Sequence, residues 1–104
     1  MANTNDWGYN LAGAIIRQAG DDYISMKKKL FYLERGEGHP VWSDAEYRTW
    51  IESHIQEALS FFDTEWYSEL SLNKLDGKYL IEQFDREYQE WETKELRKLE
   101  AEGA

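Results

Sequence analysis

Apolar residues in the first third of the chain fall at Ala12, Ile16, Ala19, Tyr23, Met26, Leu30 and Leu33, with spacings that alternate four and three. That is a heptad seam, and it predicts a helix over about Gly8 to Arg35. One apolar stripe of this length has to be covered by other helices, because a lone amphipathic helix leaves it in water. Gly13 and Gly20 interrupt the pattern and each costs about 1 kcal/mol relative to Ala, so packing must hold the helix, and at either position another helix could approach closely. Lys27, Lys28, Lys29 and Arg35 cluster toward its end, where cations offset the negative end of the helix dipole. They are read as solvated and structural.

Gly36-Glu37-Gly38-His39-Pro40 closes this helix and turns the chain, since Gly accepts the left-handed cap and Pro cannot continue a helix. Ser43-Asp44-Ala45-Glu46 has the spacing of a capping box and starts a second helix at Asp44. Its apolar positions Tyr47, Trp50, Ile51, Ile55, Ala58, Leu59 and Phe62 form one face, and Glu52 and Glu57 fall outside it. Asp63 and Thr64 break and recap the chain, which predicts a short helix over Glu65 to Leu70. A longer helix follows from near Leu72 or Asn73, with Asn73 as its cap, Asp76 in its first turn and Gly77 permitting close packing. Leu75, Tyr79, Leu80, Phe84, Tyr88 and Trp91 keep the helical spacing, and the helix extends toward Leu99. Beyond Trp91 the residues are mostly charged, so that end is expected to project or fray.

Strand signals are absent. The expectation is an all-α fold, a small bundle of three main helices plus one short corner helix. It forms one domain across the 104 residues, with 1–7 and about 100–104 expected to be disordered. High aromatic content in so short a chain fills a thin core with large side chains or furnishes an interface. For Phe61, Phe62, Trp66 and Tyr67 together core is favoured, with Trp66 and Tyr67 the better candidates for exposure.

The run Phe61-Phe62-Asp63-Thr64-Glu65-Trp66-Tyr67, followed by Leu70-Ser71 and by Asp76-Gly77-Lys78-Tyr79-Leu80-Ile81, resembles a signature of small proteins encoded by phages and integrative elements of Gram-positive bacteria. In those a Phe-Phe-x-Ser-x-Trp-Phe run leads into Leu-Thr-x-x-Asp-Gly-x-Tyr-Leu-Ile and a last helix. Thr64, Tyr67 and Ser71 are mild departures from that pattern. A weaker echo lies at Ala14 to Tyr23. The resemblance implies a mobile-element protein, and such genomes supply small, acidic, cysteine-poor inhibitors of host defences. In size and character the chain is similar to anti-CRISPR proteins that block Cas9-type nucleases, whose channels for guide and target are basic.

The chain has no Cys, which excludes a disulfide scaffold, a thiolate nucleophile and cysteine-based metal centres. No apolar run reaches the roughly 18 residues of a membrane span, and Met1 to Asp6 lack the regions of a signal peptide. The expectation is a cytoplasmic protein of a bacterial host cell, with no membrane partner. Only two histidines are present, His39 and His54, without His-x-x-x-His or Glu-x-x-His spacing, and Lys74, Lys78 and Leu80 stand where a calcium loop at Asp76-Gly77 would need oxygen ligands. With no serine-nucleophile motif and no phosphate loop either, the reading is a non-enzymatic protein without cofactor or metal.

The net charge of −9 is unevenly distributed. Met1 to Ser43 are neutral overall, whereas Asp44 to Leu70 carry seven acids against Arg48 alone. That sign opposes direct binding of DNA or RNA and favours a basic partner surface. The expected partner-binding residues are Asp44, Glu46, Glu52, Glu57, Asp63, Glu65, Trp66, Tyr67 and Glu69. In the first reading they occupy the nucleic-acid groove of a basic host protein, a Cas9-type nuclease foremost, as a carboxylate array that mimics a phosphate backbone. The alternative is a helical assembly or adaptor module that forms a homodimer or pairs with a host helix through the first seam or the charged last helix.

Overall fold

The computed structural model describes residues 4–71 and 76–103, with side chains from Leu11 onward. Helix α1 spans Thr4–Glu34, α2 Asp44–Phe61, α3 Glu65–Leu70 and α4 Gly77–Gly103, and no strand occurs among the described residues. The all-α bundle of three main helices and one short corner helix is therefore the observed fold. α1 begins before Gly8 and α4 runs past Leu99, both further out than the apolar periodicity reaches.

α1 is the shared wall of the bundle, packing against α2, α3 and α4. This role explains why its buried set is wider than the predicted seam. Ile16, Tyr23 and Leu33 are buried as the heptad requires, but so are Ile24 and Phe31, one residue further around the helix. Two flanking helices need two adjacent apolar rows, not one. At Gly20 the ring of Phe84 from α4 occupies the space a β-carbon would take, so the absent side chain brings α1 and α4 together. Gly77 does the same at the start of α4, where a β-carbon would lie 2.7 Å from the Phe62 carbonyl oxygen.

The core gathers Ile16, Tyr23, Ile24, Phe62, Tyr67 and Phe84, with Ile55, Leu59 and Leu80 packed around it. Ile51 is completely buried. Trimming such a side chain to Ala costs about 2–5 kcal/mol.

The chain reversals follow local hydrogen bonding. Gly36, at φ +92°, takes the left-handed conformation that ends α1, and Arg35 donates to the Phe31 carbonyl at 3.0 Å, as a cation at a helix end should. Ser43 Oγ accepts the Glu46 amide at 3.2 Å to start α2. Thr64 serves both neighbours: its hydroxyl donates to Phe61 O at 2.7 Å and accepts from the Tyr67 amide at 3.0 Å, ending α2 and starting α3. Asp76 stands just before α4 rather than within its first turn. Its carboxylate accepts from the Lys78 amide at 3.0 Å and its carbonyl from the Leu80 amide. The expected cap at Asn73 lies outside the described residues.

Polar contacts lock α4 onto α1. Arg17 donates to both carboxylate oxygens of Glu87, at 2.8 and 2.7 Å, and also pairs with Asp21. Asp85 accepts from the Tyr23 hydroxyl at 2.6 Å and from Lys27 at 2.9 Å, and Glu95 accepts from the Tyr32 hydroxyl at 2.8 Å. Lys27 and Lys28 further lie over the rings of Tyr88 and Trp91. These lysines are half-buried ties to α4, which corrects the reading of them as a solvated run. They fall on the side of α1 that α4 covers, and their stems pack there while the heads find rings and carboxylates. Beyond Trp91 the helix thus remains docked at least to Glu95.

Candidate partner-binding face

Eight of the nine expected partner-binding residues are solvent-exposed. Asp44, Glu46, Glu52 and Glu57 lie on α2, Asp63 in the turn after it, and Glu65, Trp66 and Glu69 on α3. Tyr67 is the exception: only 3% exposed, it belongs to the core, with ring contacts to Phe61 and Phe62. The reason is the geometry of a six-residue helix. Glu65 and Glu69, one turn apart, take the outer side together with Trp66, which leaves Tyr67 on the inner side. Burial also pushes the Tyr67 phenol above its ordinary range. Trp66 is 54% exposed and meets the edge of Phe61 at 5.7 Å.

The seven acids do not form one array. At about 100° per residue, Glu46 and Glu57 lie within about 20° of each other around α2, whereas Glu52 is about 140° from Glu57. Glu52 therefore faces away from the other two. Among the described residues the ion pairs of the molecule use Asp21, Glu34, Asp85 and Glu87, and none of the seven acids. Arg48, the one base of this segment, pairs with Glu34 at 3.7 Å. Among the described residues, no cation pairs with the acids of α2, α3 and their junction.

A second feature accompanies the side of α2 that bears Glu46 and Glu57. The His39 ring stacks on Trp42 at 4.5 Å, Trp42 meets Trp50 at 5.9 Å, Tyr47 stacks on Trp50 at 6.0 Å, and Trp50 meets His54 at 4.3 Å. This ladder is held by backbone bonds. His39 Nδ1 accepts the amides of Val41 and Trp42 at 3.0 and 3.1 Å, which fixes the loop beneath Trp42, and His54 Nδ1 donates to the Trp50 carbonyl at 2.9 Å. Val41 is 82% exposed and Trp42 40%. Further along α2 a groove of about 440 Å³ opens against α1, lined by His54, Glu57, Ala58 and Phe61 with Asp22 and Met26 opposite. The ladder, the groove and Trp66 thus make a stripe of aromatic and apolar surface edged by carboxylates.

The sequence pattern did not separate this stripe from the core. Tyr47 and Trp50 have the same helical spacing as Ile51, Ile55 and Phe62, which predicts one face. In the structure the row of Ile51, Ile55 and Phe62 turns inward, and the row of Tyr47, Trp50 and His54 stays at the surface. The usable signal was the width of the apolar arc, broader than a single neighbouring helix can cover. Trp42, in the loop, gave no periodic signal.

No family model, curated protein or solved structure matches the chain. Among the described residues no cluster of His, Asp and Glu is arranged to hold a metal ion, and no helix is long and apolar enough to cross a membrane. What the geometry offers chemically is recognition: exposed aromatic area at low conformational cost, beside carboxylates that no cation among the described residues pairs with.

Proposed function

We propose that this chain is a non-enzymatic interaction protein that binds a basic, nucleic-acid-handling protein of the bacterial host and inhibits it by occupying its nucleic-acid surface, with a Cas9-type nuclease as the leading target. The observation that carries this reading is the set of seven exposed acids on α2, α3 and their junction, all without ion-pair partners among the described residues, beside an exposed aromatic stripe. Basic grooves that hold phosphate backbones match such a surface in charge, and Trp and Tyr supply the contact area that charge alone does not. Because the acids are split around α2, the partner has to wrap the helix or use only the side of Glu46 and Glu57. A flat phosphate-like row is not what α2 presents.

The helix-pairing alternative has lost one of its two surfaces. Ile16, Tyr23 and Leu33 of the first seam are buried inside the bundle, so pairing through them requires the bundle to open. The charged end of α4 remains for it.

Affinity capture from a nuclease-treated lysate of a Cas9-containing Gram-positive bacterium tests the proposal, with bound proteins identified by mass spectrometry at low and high salt. Enrichment of a Cas9-type nuclease or another basic nucleic-acid enzyme, lost at high salt, is the expected result. Recovery of the chain itself alone, or of a salt-resistant helical partner, contradicts it.

A further inference from the structure

Among the described residues, the chain's own cation–ring contacts involve only α1, Arg35 just past its end, and α4, and none reaches Trp42 or Trp50. Arg17 lies over Phe84, Lys27 over Tyr23 and Tyr88, Lys28 over Trp91 and Arg35 over Phe31. Beside the Trp42 and Trp50 rings, which meet edge to face, is a shallow notch of about 300 Å³, completed by Glu46, Thr49 and Ser53. The Thr49 hydroxyl is engaged with the Ala45 carbonyl at 3.0 Å, whereas among the described residues neither the Ser53 hydroxyl nor the Glu46 carboxylate has a hydrogen-bond or ion-pair partner. In a full capping box the Glu46 carboxylate accepts the Ser43 amide; here it borders the notch.

We infer that the Trp42–Trp50 notch is a receptor for an arginine side chain of the partner, its guanidinium lying against the indoles and paired with Glu46. This rests on the reading of the chain as a binder of a basic protein and names the group by which that protein is gripped. Charge complementarity selects a cation, since Glu46 is uncompensated and Arg48 is tied to Glu34 about 160° around the helix. The two indoles select a planar, weakly hydrated one: a guanidinium stacks on aromatic faces and offers a fork to a carboxylate, while an ammonium is compact and strongly hydrated. The ladder supports the notch from behind. With His39 stacked on Trp42, Tyr47 and His54 against Trp50, and the two indoles edge to face with each other, their placement is fixed before any ligand arrives.

The test is a titration of the full chain with an acetylated, amidated Gly-Arg-Gly-Arg-Gly peptide, read on the indole N–H resonances by NMR. Matched peptides with Lys or with citrulline in place of Arg serve as comparisons. Trp42 and Trp50 are expected to shift with the arginine peptide, several-fold more weakly with the lysine peptide, and not with the citrulline one. Glu46→Gln should reduce the arginine affinity roughly five-fold, and Glu90→Gln, on α4, should leave it unchanged. Glu46 and Glu90 are exposed, so both variants are expected to fold. Equal response to Arg and Lys, shifts confined to other tryptophans, or no effect of Glu46→Gln overturns the notch. These outcomes are independent of the lysate capture, so a basic partner can be found while the notch fails, and the reverse.

Discussion

Gly20 and Gly13 sit in the same helix and carry the same intrinsic penalty, yet the structure gives them opposite roles. A β-carbon at Gly20 collides with the Phe84 ring, and at Gly13 it meets nothing within 4 Å. Gly20→Ala is therefore expected to destabilise by about 1–3 kcal/mol, because the ring must leave its place in the core. Gly13→Ala should instead stabilise by up to about 1 kcal/mol. Urea unfolding of the two variants checks this. Equal effects of the same sign would contradict the α1–α4 packing. The sequence allows a neighbouring helix at either glycine, and nothing local to either position distinguishes them, since the deciding contact comes from Phe84, far along the chain. Thr64 is the opposite case. Its cap was legible from Asp63-Thr64 alone, because capping is settled within three residues on either side.

The contact between α1 and α4 mixes aromatic packing with charged and phenolic hydrogen bonds, and its pH response follows from that. Burial, and then the hydrogen bond to Asp85, pushes the Tyr23 phenol up, and burial with Glu92 brings Tyr88 to about 12. Both shifts are upward, so the stability they contribute is complete below the unfolded phenol value of about 10. It is lost as pH rises from there through the folded values. Stability should decline above about pH 10, with Tyr23→Phe showing a shallower decline from its own lower plateau. At the acid end the sign reverses. Arg17 holds the Glu87 carboxyl below its ordinary value, so that contribution is present above the unfolded pKa and lost as pH falls through the folded one. The pair is about half exposed, so added salt should blunt the acid limb and leave the alkaline one. Circular-dichroism melts across pH, at two salt concentrations, read both limbs. The extent of α2 and the position of α3 were readable from caps and breaks. The pairing of Asp85 and Glu87 with α1 was not, because which charges meet depends on helix placement and not on spacing within one helix.

The whole molecule measures 53 × 30 × 23 Å, long and thin, so much of its aromatic content stays near the surface. Phe62, Tyr67 and Phe84 fill the core, and Trp42, Tyr47, Trp50 and Trp66 border solvent to differing degrees. Charge segregates along with them: Arg17, Lys27 and Lys28 of α1 are engaged with α4, and the acids of α2 and α3 are left facing outward. The fold class could be read from periodicity. The division of aromatics between core and surface could not, because it is fixed only when α1 takes the central position. Replacing Glu52, Glu57, Asp63 and Glu65 together by Gln or Asn removes four negative charges without touching a buried group. Folding should be unchanged by circular dichroism, and affinity for a basic partner should fall at least ten-fold, since each exposed pair contributes up to about 1 kcal/mol. The most direct measurement is displacement: labelled nucleic acid bound to a purified Cas9-type nuclease is titrated with the wild-type chain and followed by fluorescence anisotropy at low and high salt. Release of the nucleic acid by the wild type, weaker at high salt and lost in the fourfold variant, is the result expected of a protein that occupies the basic surface. Nucleic acid that stays bound at saturating protein, or release that the fourfold variant reproduces, would contradict it.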